Sequence, residues 1–373
     1  MPVRRIHNDR GFSLIELLVA MAITVVLLGA ALTMFKKSAD AVSTVAQRAE
    51  MQANARVGIN SIVRDLTRAG SGGVPFGGIS LPAGSTPFFA KDINGISYMA
   101  NNTFQQGVLY VVTPGFNDGP TINGIVTDGV TMIFVDPTLD WRAFSTTTIN
   151  NAGTLVTMPA GTAPALNDPV VGVKAGDLMM LKNIHGTAVG EVTQDANATT
   201  ITFADADSLS INKSTAASGN IKALADPSPP AAAGSYPATT LYRILMVSYF
   251  IQPLDANGNP LALGAAGITD FRLMRQVNAH PPVPIAEHIA LMKFSYDLSD
   301  SNTGLATTNV SDATIPNPGT PPPATVPAYN EIRNVYITVT ARSTRADTSK
   351  NFSYATMYTN LSPRSLSFQD TYQ

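Results

Sequence analysis

Arg10-Gly11-Phe12-Ser13-Leu14-Ile15-Glu16-Leu17-Leu18-Val19-Ala20-Met21-Ala22-Ile23 decides how the rest of this chain is read. A short basic leader ends at a glycine, and an apolar run begins at once with a single carboxylate at its fifth residue. From Phe12 to Phe35 the run covers 24 residues, which at about 1.5 Å rise per residue makes a helix of roughly 36 Å. A bilayer core needs about 20 apolar residues, so the run is long enough to cross one. Glu16 is out of place in it. An ionised side chain at the centre of a membrane helix costs on the order of 2.5 to 3.5 kcal/mol, less near the interface, so this carboxylate calls for a partner.

Two plainer readings compete. In one, the run is an ordinary signal anchor with Glu16 near the headgroups, which leaves the Arg-Gly-Phe junction without explanation. In the other it is a removable secretory signal with Ala39-Asp40-Ala41 as the small-residue cleavage site. Against that stands a run longer than the usual apolar region of such signals, and a helical pattern that continues through Ala39. Arg4, Arg5 and Arg10 against Asp9 hold the leader on the cytoplasmic side by the positive-inside rule. Lys36 and Lys37 close the run at its other end, where they would snorkel into headgroups. The formal net charge is −2, and losing Arg4, Arg5, Arg10 and Asp9 with the leader would move it to −4. Neither balance carries a basic footprint for nucleic acid.

Gly11-Phe12-Ser13-Leu14-Ile15-Glu16 resembles the class III signal of type IV prepilins and type II secretion pseudopilins. The resemblance implies that a prepilin peptidase cuts between Gly11 and Phe12 and methylates the new amine of Phe12. It further implies that Glu16 pairs with the terminal amine of a neighbouring subunit as the helix leaves the membrane for a filament. The partners it implies are that peptidase, other major and minor pilins through the N-terminal helix, and inner-membrane lipid before assembly. The location it implies is a single pass of the cytoplasmic membrane with the N-terminus inside and a head outside, then a pilus at the cell surface.

Past Lys37 the helical pattern becomes amphipathic, with Val45, Ala49, Ala55, Ile59, Ile62 and Leu66 close to three- and four-residue spacing and Arg48, Glu50, Arg56, Arg64 and Asp65 on other faces. Ala69-Gly70-Ser71-Gly72-Gly73-Val74-Pro75 stops it. Gly29 and Gly58 are the points where such a helix would bend or melt most readily. Glu50 to Arg56 followed by Ile62-Val63-Arg64-Asp65-Leu66-Thr67-Arg68-Ala69-Gly70 is similar to the post-membrane helix of PilW-type minor pilins, with Thr67 and Arg68 departing slightly from the usual pattern.

From Val74 onward charged residues are sparse, 13 percent over the whole chain against about 25 percent in average domains. Runs rich in Val, Ile, Thr, Tyr and Phe predict strands at 108–113, 130–136, 154–158, 177–182, 189–194 and 199–203, then at 241–252, 271–276, 289–298, 335–342 and 352–358. Loops are expected over 70–86, 212–240 and 299–328, the last two too rich in proline for central strands. The fold class expected is α+β: a long N-terminal helix packed on an antiparallel sheet, with a β-rich insertion, as in type IV pilins. The domain order expected is a leader over 1–11, a membrane or filament-core helix over 12–36 and the amphipathic helix of the head over 37–69. A first part of the β head follows over 70–137, a possible inserted β subdomain over 138–212, a Pro/Ala-rich linker over 213–240 and the C-terminal sheet over 241–373. The strands after Leu241 resemble, in their order, the final sheet of PilW-like minor pilins and J-type pseudopilins; the middle of the chain resembles nothing in either family.

Catalysis finds little support. There is no cysteine, so thiol chemistry and thiolate metal sites are out. His7, His185, His280 and His288 show no metal-ligand spacing, and no Gly-x-Ser-x-Gly elbow is present. No cofactor or metal is expected. Asp255-Ala256-Asn257-Gly258-Asn259 has oxygen ligands at alternate positions but lacks the later glutamate of an EF-hand, and a hairpin turn explains it equally. Trp141 and Phe144 read either as a binding patch or as core. The resemblance leaves a minor pilin of the PilW type, in the complex that primes and caps the pilus, as the first reading. A J-type pseudopilin, a tip adhesin with a ligand-binding inserted region, and a membrane-anchored enzyme are the alternatives.

Overall fold

The computed structural model describes residues 13–85, 98, 107–227, 235–299, 306–311, 329–346 and 351–367. The chain divides into two compact units, Met1–Glu50 and Met51–Gln373. One helix, α1 (Leu14–Leu66), contributes to both.

In the first unit every side chain from Ser13 to Ala46 is exposed. This part of α1 holds a window long and apolar enough to cross a membrane. The two threonines within it direct their hydroxyls to the helix itself, Thr24 to the Ala20 carbonyl at 2.7 Å and Thr33 to that of Ala30 at 2.8 Å. A polar group satisfied within its own helix is one that lipid tolerates.

The second unit begins where α1 becomes amphipathic. Met51, Ala55, Ile59, Ile62 and Leu66 recur every three or four residues and are all buried, which is the stripe an α-helix lays on a sheet. The stripe starts later than the periodicity predicts, because Val45 and Ala49 stand exposed. Gly58 is no bend. A β-carbon there would stand 3.0 Å from a methyl of Leu273 and 3.8 Å from one of Val339, so glycine lets the helix approach the sheets closely. After Leu66 the chain turns, and the Gly70 amide bonds to the carbonyl of Ile133 at 2.8 Å. Gly72, at φ +82, lies where a β-carbon would fall 2.3 Å from that of Val135.

Eighteen strands follow among the described residues. In chain order they are β1 (Ile79–Ser80), β2 (Val108–Leu109), β3 (Val112–Gly115), β4 (Thr121–Ile122), β5 (Ile125–Val126) and β6 (Gly129–Val135). Then come β7 (Thr148–Ile149), β8 (Leu155–Thr157), β9 (Leu178–Asn183), β10 (Gly186–Glu191) and β11 (Thr200–Thr202). The last group is β12 (Thr240–Leu254), β13 (Asp270–Val277), β14 (Val283–Glu287), β15 (Ile289–Ser299), β16 (Ala306–Val310), β17 (Ile332–Arg342) and β18 (Tyr354–Leu361). All their pairings are antiparallel. The α+β class expected from the sequence is the observed one: a long apolar helix on antiparallel sheets.

The 15-residue strand β12 organises the larger sheet. Its residues Thr240–Ile244 pair with β9, Ile244–Tyr249 with β6 and Val247–Leu254 with β13. A second sheet runs in the order β16, β15, β17, β18. A β-carbon added at Gly58 would meet Leu273 of one sheet and Val339 of the other, so α1 runs over side chains of both.

Two hydrophobic cores result. The first joins the buried stripe of α1 to residues of both sheets, Tyr249, Phe250, Phe294 and Ile337 among them. The second gathers Trp141, Val156, Leu166, Met179, Val192 and Phe203, with Leu241 of β12. Trp141 is one of its largest buried side chains and donates its indole N–H to the Pro164 carbonyl at 2.9 Å, so of the two readings open to it the packed one holds. Ile221 and Leu224, in a short 3-10 turn, are buried in this core as well. β10 begins three residues before the strand predicted at 189–194, and β2 and β3 break the one predicted at 108–113.

Candidate functional site

The site the sequence singles out is the first turn of α1. Ser13 precedes the helix and Glu16 is its third residue. The Ser13 amide donates to Glu16 Oε2 at 3.0 Å, and the Glu16 amide donates to Ser13 Oγ at 3.2 Å. These reciprocal bonds form a capping box, which satisfies two of the amides that a helix start leaves free. The Leu17 amide bonds to the Ser13 carbonyl at 3.2 Å and closes the first turn. A carboxylate here also meets the positive end of the helix dipole. Glu16 thus has a partner within its own chain, in the backbone of Ser13. Ser13 is the residue the sequence reading passed over, although Ser-x-x-Glu ahead of an apolar run is a signature of helix starts. Gly11 and Phe12, and with them Arg4, Arg5 and Arg10, lie outside the described residues.

In the head, polar side chains are enclosed at several places, three of which bear on the cores and the helix. Asp65 of α1, expected on a face away from the apolar stripe, is instead buried, because it accepts from Arg275 Nε and from the Tyr249 hydroxyl, each at 2.7 Å. Burial, with the Asp65 carboxylate next to it, raises the Tyr249 phenol above its ordinary value. Tyr249 stands on β12 and Arg275 on β13, so one carboxylate clamps the helix to two neighbouring strands.

The second place links the two cores. Arg243 of β12 bonds Asp136 at 2.6 Å and approaches Asp177 to 3.6 Å. His280 Nε2 sits 2.8 Å from the other oxygen of Asp177, and this bond raises the imidazole above its usual value against the opposing effect of burial.

The third lies beside the second core. Glu191 is buried and accepts from the Ser208 hydroxyl at 2.5 Å and from the Leu209 amide at 2.7 Å. Burial, helped by the neighbouring Asp207, pushes its carboxyl up to about 7. Asp207 in turn accepts from the amides of Ile211 and Asn212 at 2.8 and 2.9 Å.

These enclosed groups bond one another and the backbone; they form no nucleophile, base and orienter set of the kind a reaction needs. Asp255 spends its carboxylate on the amides of Asn257 and Asn259, both at 2.8 Å, and on the Asn259 side chain at 3.0 Å. Those bonds close the turn between β12 and β13.

Residues 6–32 match the prokaryotic N-terminal methylation motif. That match supports a type IV prepilin-like subunit, a pilin or pseudopilin of structural role, cut by prepilin peptidase and held in a membrane by its apolar helix. Comparison with curated proteins and with solved structures finds no match to the chain.

Proposed function

We propose that this chain is a minor pilin of the PilW type, cut between Gly11 and Phe12, methylated on Phe12 and built into a type IV pilus within its tip or priming complex. The observation that carries the reading is the methylation motif over residues 6–32, continuous with a helix whose exposed apolar surface runs on to Ala46. Arg4, Arg5 and Arg10 keep the leader in the cytoplasm, and the head lies outside the inner membrane. Glu16 serves assembly: freed from Ser13, its carboxylate takes the methylated amine of Phe12 on a neighbouring pilin. Exchange of a backbone amide for a charged amine strengthens the contact in an apolar surround. The domain order is leader 1–11, membrane and filament-core helix 12–36, head helix 37–69 and β head beyond, with an inserted subdomain over 138–212. A head enlarged by its own second core suits a tip position, because a subunit in the filament body must pack on neighbours all round.

The test is the intact mass of the membrane-extracted chain in cells with and without prepilin peptidase. A chain beginning at methylated Phe12 only when the peptidase is present is the expected result. A chain still beginning at Met1 in both strains, or cut after Ala41, would sink the reading.

A further inference from the structure

We propose that β18 is an edge through which two copies of this chain join, β18 of one adding antiparallel to β18 of the other. β18 is the outermost strand of its sheet and pairs with β17 alone among the described residues. Its eight pairs, from Val335↔Leu361 to Arg342↔Tyr354, run without a register shift.

Which backbone groups remain open follows from the ladder. The Ser343 amide donates to the Ser353 carbonyl at 2.8 Å and the Ser353 amide to the Ser343 hydroxyl at 3.0 Å, so the backbone groups of these two residues face each other. Bonded and non-bonded pairs alternate in an antiparallel ladder. Tyr354, Thr356, Tyr358 and Asn360 therefore turn their amides and carbonyls away from β17. The same conclusion comes from the other side, where Arg342, opposite Tyr354, donates its amide to the His288 carbonyl instead. The side chains of these four residues are exposed too.

Edges of this kind are normally blunted by charge, proline or a bulge. Three other edges follow that rule: β14 carries Pro284 and Glu287 and a register shift, β3 carries Pro114, and β16 pairs through a shift. β18, Tyr-Ala-Thr-Met-Tyr-Thr-Asn-Leu, has none of these devices. A row of alternating amides and carbonyls is matched by one ligand class, the backbone of another strand.

The occupant is a second copy because the edge is complementary to itself. With no charge on the strand, a two-fold pairing sets no like charges against each other, and in the register centred on Thr356 it places Thr356 opposite its copy and Tyr354 opposite Tyr358, pairs that favour a sheet. Such a two-fold contact closes on itself, and the joined sheet ends at β16 on either side.

The chain has no cysteine, so a single introduced one reports its own surroundings. Thr356→Cys, Met357→Cys and Tyr358→Cys are placed singly in the full chain, in membranes of cells with and without prepilin peptidase, and oxidised. The control is Val170→Cys, at a side chain that is 89% exposed. Each of the three positions is the centre of one two-fold register, and only at the centre do the two Cα atoms come within the roughly 4.4 to 6.8 Å a disulfide spans. One position is expected to give a disulfide dimer far above the control, in both strains. A lysine at whichever of Thr356 and Tyr358 is not the cysteine should abolish that dimer, and Thr356→Ser or Tyr358→Phe in its place should keep it. Dimer at no position above Val170→Cys, equal dimer at all positions, or a disulfide to a different protein would each overturn the proposal. Because the strain without peptidase is read alongside, failure here leaves the filament reading untouched.

Discussion

Ser13 and Glu16 hold each other through two hydrogen bonds, one from each backbone amide to the other's side chain, at 3.0 and 3.2 Å. The carboxylate that makes the apolar run so unusual is therefore also part of the structure that starts the helix. That role can be separated from the assembly role proposed for it. Ser13→Ala removes the serine half of the box and should cost about 1 kcal/mol of local stability, seen as faster amide exchange at Leu14 to Leu17 in detergent. Glu16→Gln keeps an acceptor for the Ser13 amide, so exchange there should change little, while filament incorporation should fall because the amide carries no charge for a neighbour's amine. Equal loss of incorporation in both variants would tie assembly to the helix start and not to the charge.

The clamp at Asp65 predicts a larger effect. Asp65 is 1% exposed and Arg275 is 18% exposed at their side chains. Removing one member of a buried pair leaves the other charged and unsatisfied, typically at about 3 to 5 kcal/mol. Arg275→Met should therefore lower the denaturant midpoint of the full chain in detergent by far more than a surface change such as Arg142→Met. Asp65→Leu combined with Arg275→Met should recover part of that loss, since an apolar pair leaves no orphaned charge, although the Tyr249 hydroxyl would still lack its acceptor. A double variant weaker than Arg275→Met alone would show that Tyr249 draws more from Asp65 than the arginine does.

These two relationships also mark what the sequence makes legible. Ser13 and Glu16 are three residues apart, and local periodicity shows both the apolar run and the box that opens it. Asp65 and Arg275 are separated by 210 positions, and nothing in either neighbourhood announces the other. The buried stripe of α1 was readable at Ala55, Ile59, Ile62 and Leu66, yet its start at Met51 was not, because Val45 and Ala49 fit the same spacing. Strand positions were clear where β-branched residues cluster, as in β15 and β17. They slipped at β10, where pairing with β9 draws Gly186 into the ladder against its weak strand preference, and Thr187 and Ala188 with it.

Gly58 and Gly29 occupy the same helix and should respond oppositely to substitution. Nothing stands within 4 Å of a β-carbon at Gly29, whereas at Gly58 the Leu273 methyl is 3.0 Å away and Leu273 itself is fully buried. Gly29→Ala should raise the helix stability of the membrane unit by up to about 1 kcal/mol, the ordinary propensity gain. Gly58→Val should destabilise the head by about 1 to 3 kcal/mol through overpacking. Thermal melts of the two variants, followed by circular dichroism, would separate them. A stabilised Gly58→Val would show that the contact between α1 and β13 has slack.

The head should lose stability as the solution turns from acid to mildly alkaline, and Glu191 is the main reason. Its carboxyl is raised to about 7 by burial and by Asp207, so the folded chain favours the proton relative to an unfolded chain with an ordinary glutamate. The stability this contributes is fully present below about 4.3, the unfolded value, and is lost as pH rises through about 7. His280 adds to the same slope: Asp177 raises its imidazole, so its share is present below about 6.5 and is lost above the raised value. Other carboxylates work the opposite way, Asp136 being held low by Thr138 and Arg243 in spite of burial, which favours the fold above its unfolded value and weakens it in strong acid. The window between about 5 and 8 therefore leaves out the carboxylates held low and keeps Glu191 and His280 in view. Glu191→Gln mimics the protonated carboxyl and keeps the acceptor for Ser208 and Leu209, so it should flatten the fall in denaturant midpoint across that window. His280→Gln in addition should remove most of what remains. A midpoint that rises from pH 5 to pH 8 in the unaltered chain would mean that Glu191 is ionised in the fold and held by its hydrogen-bond donors.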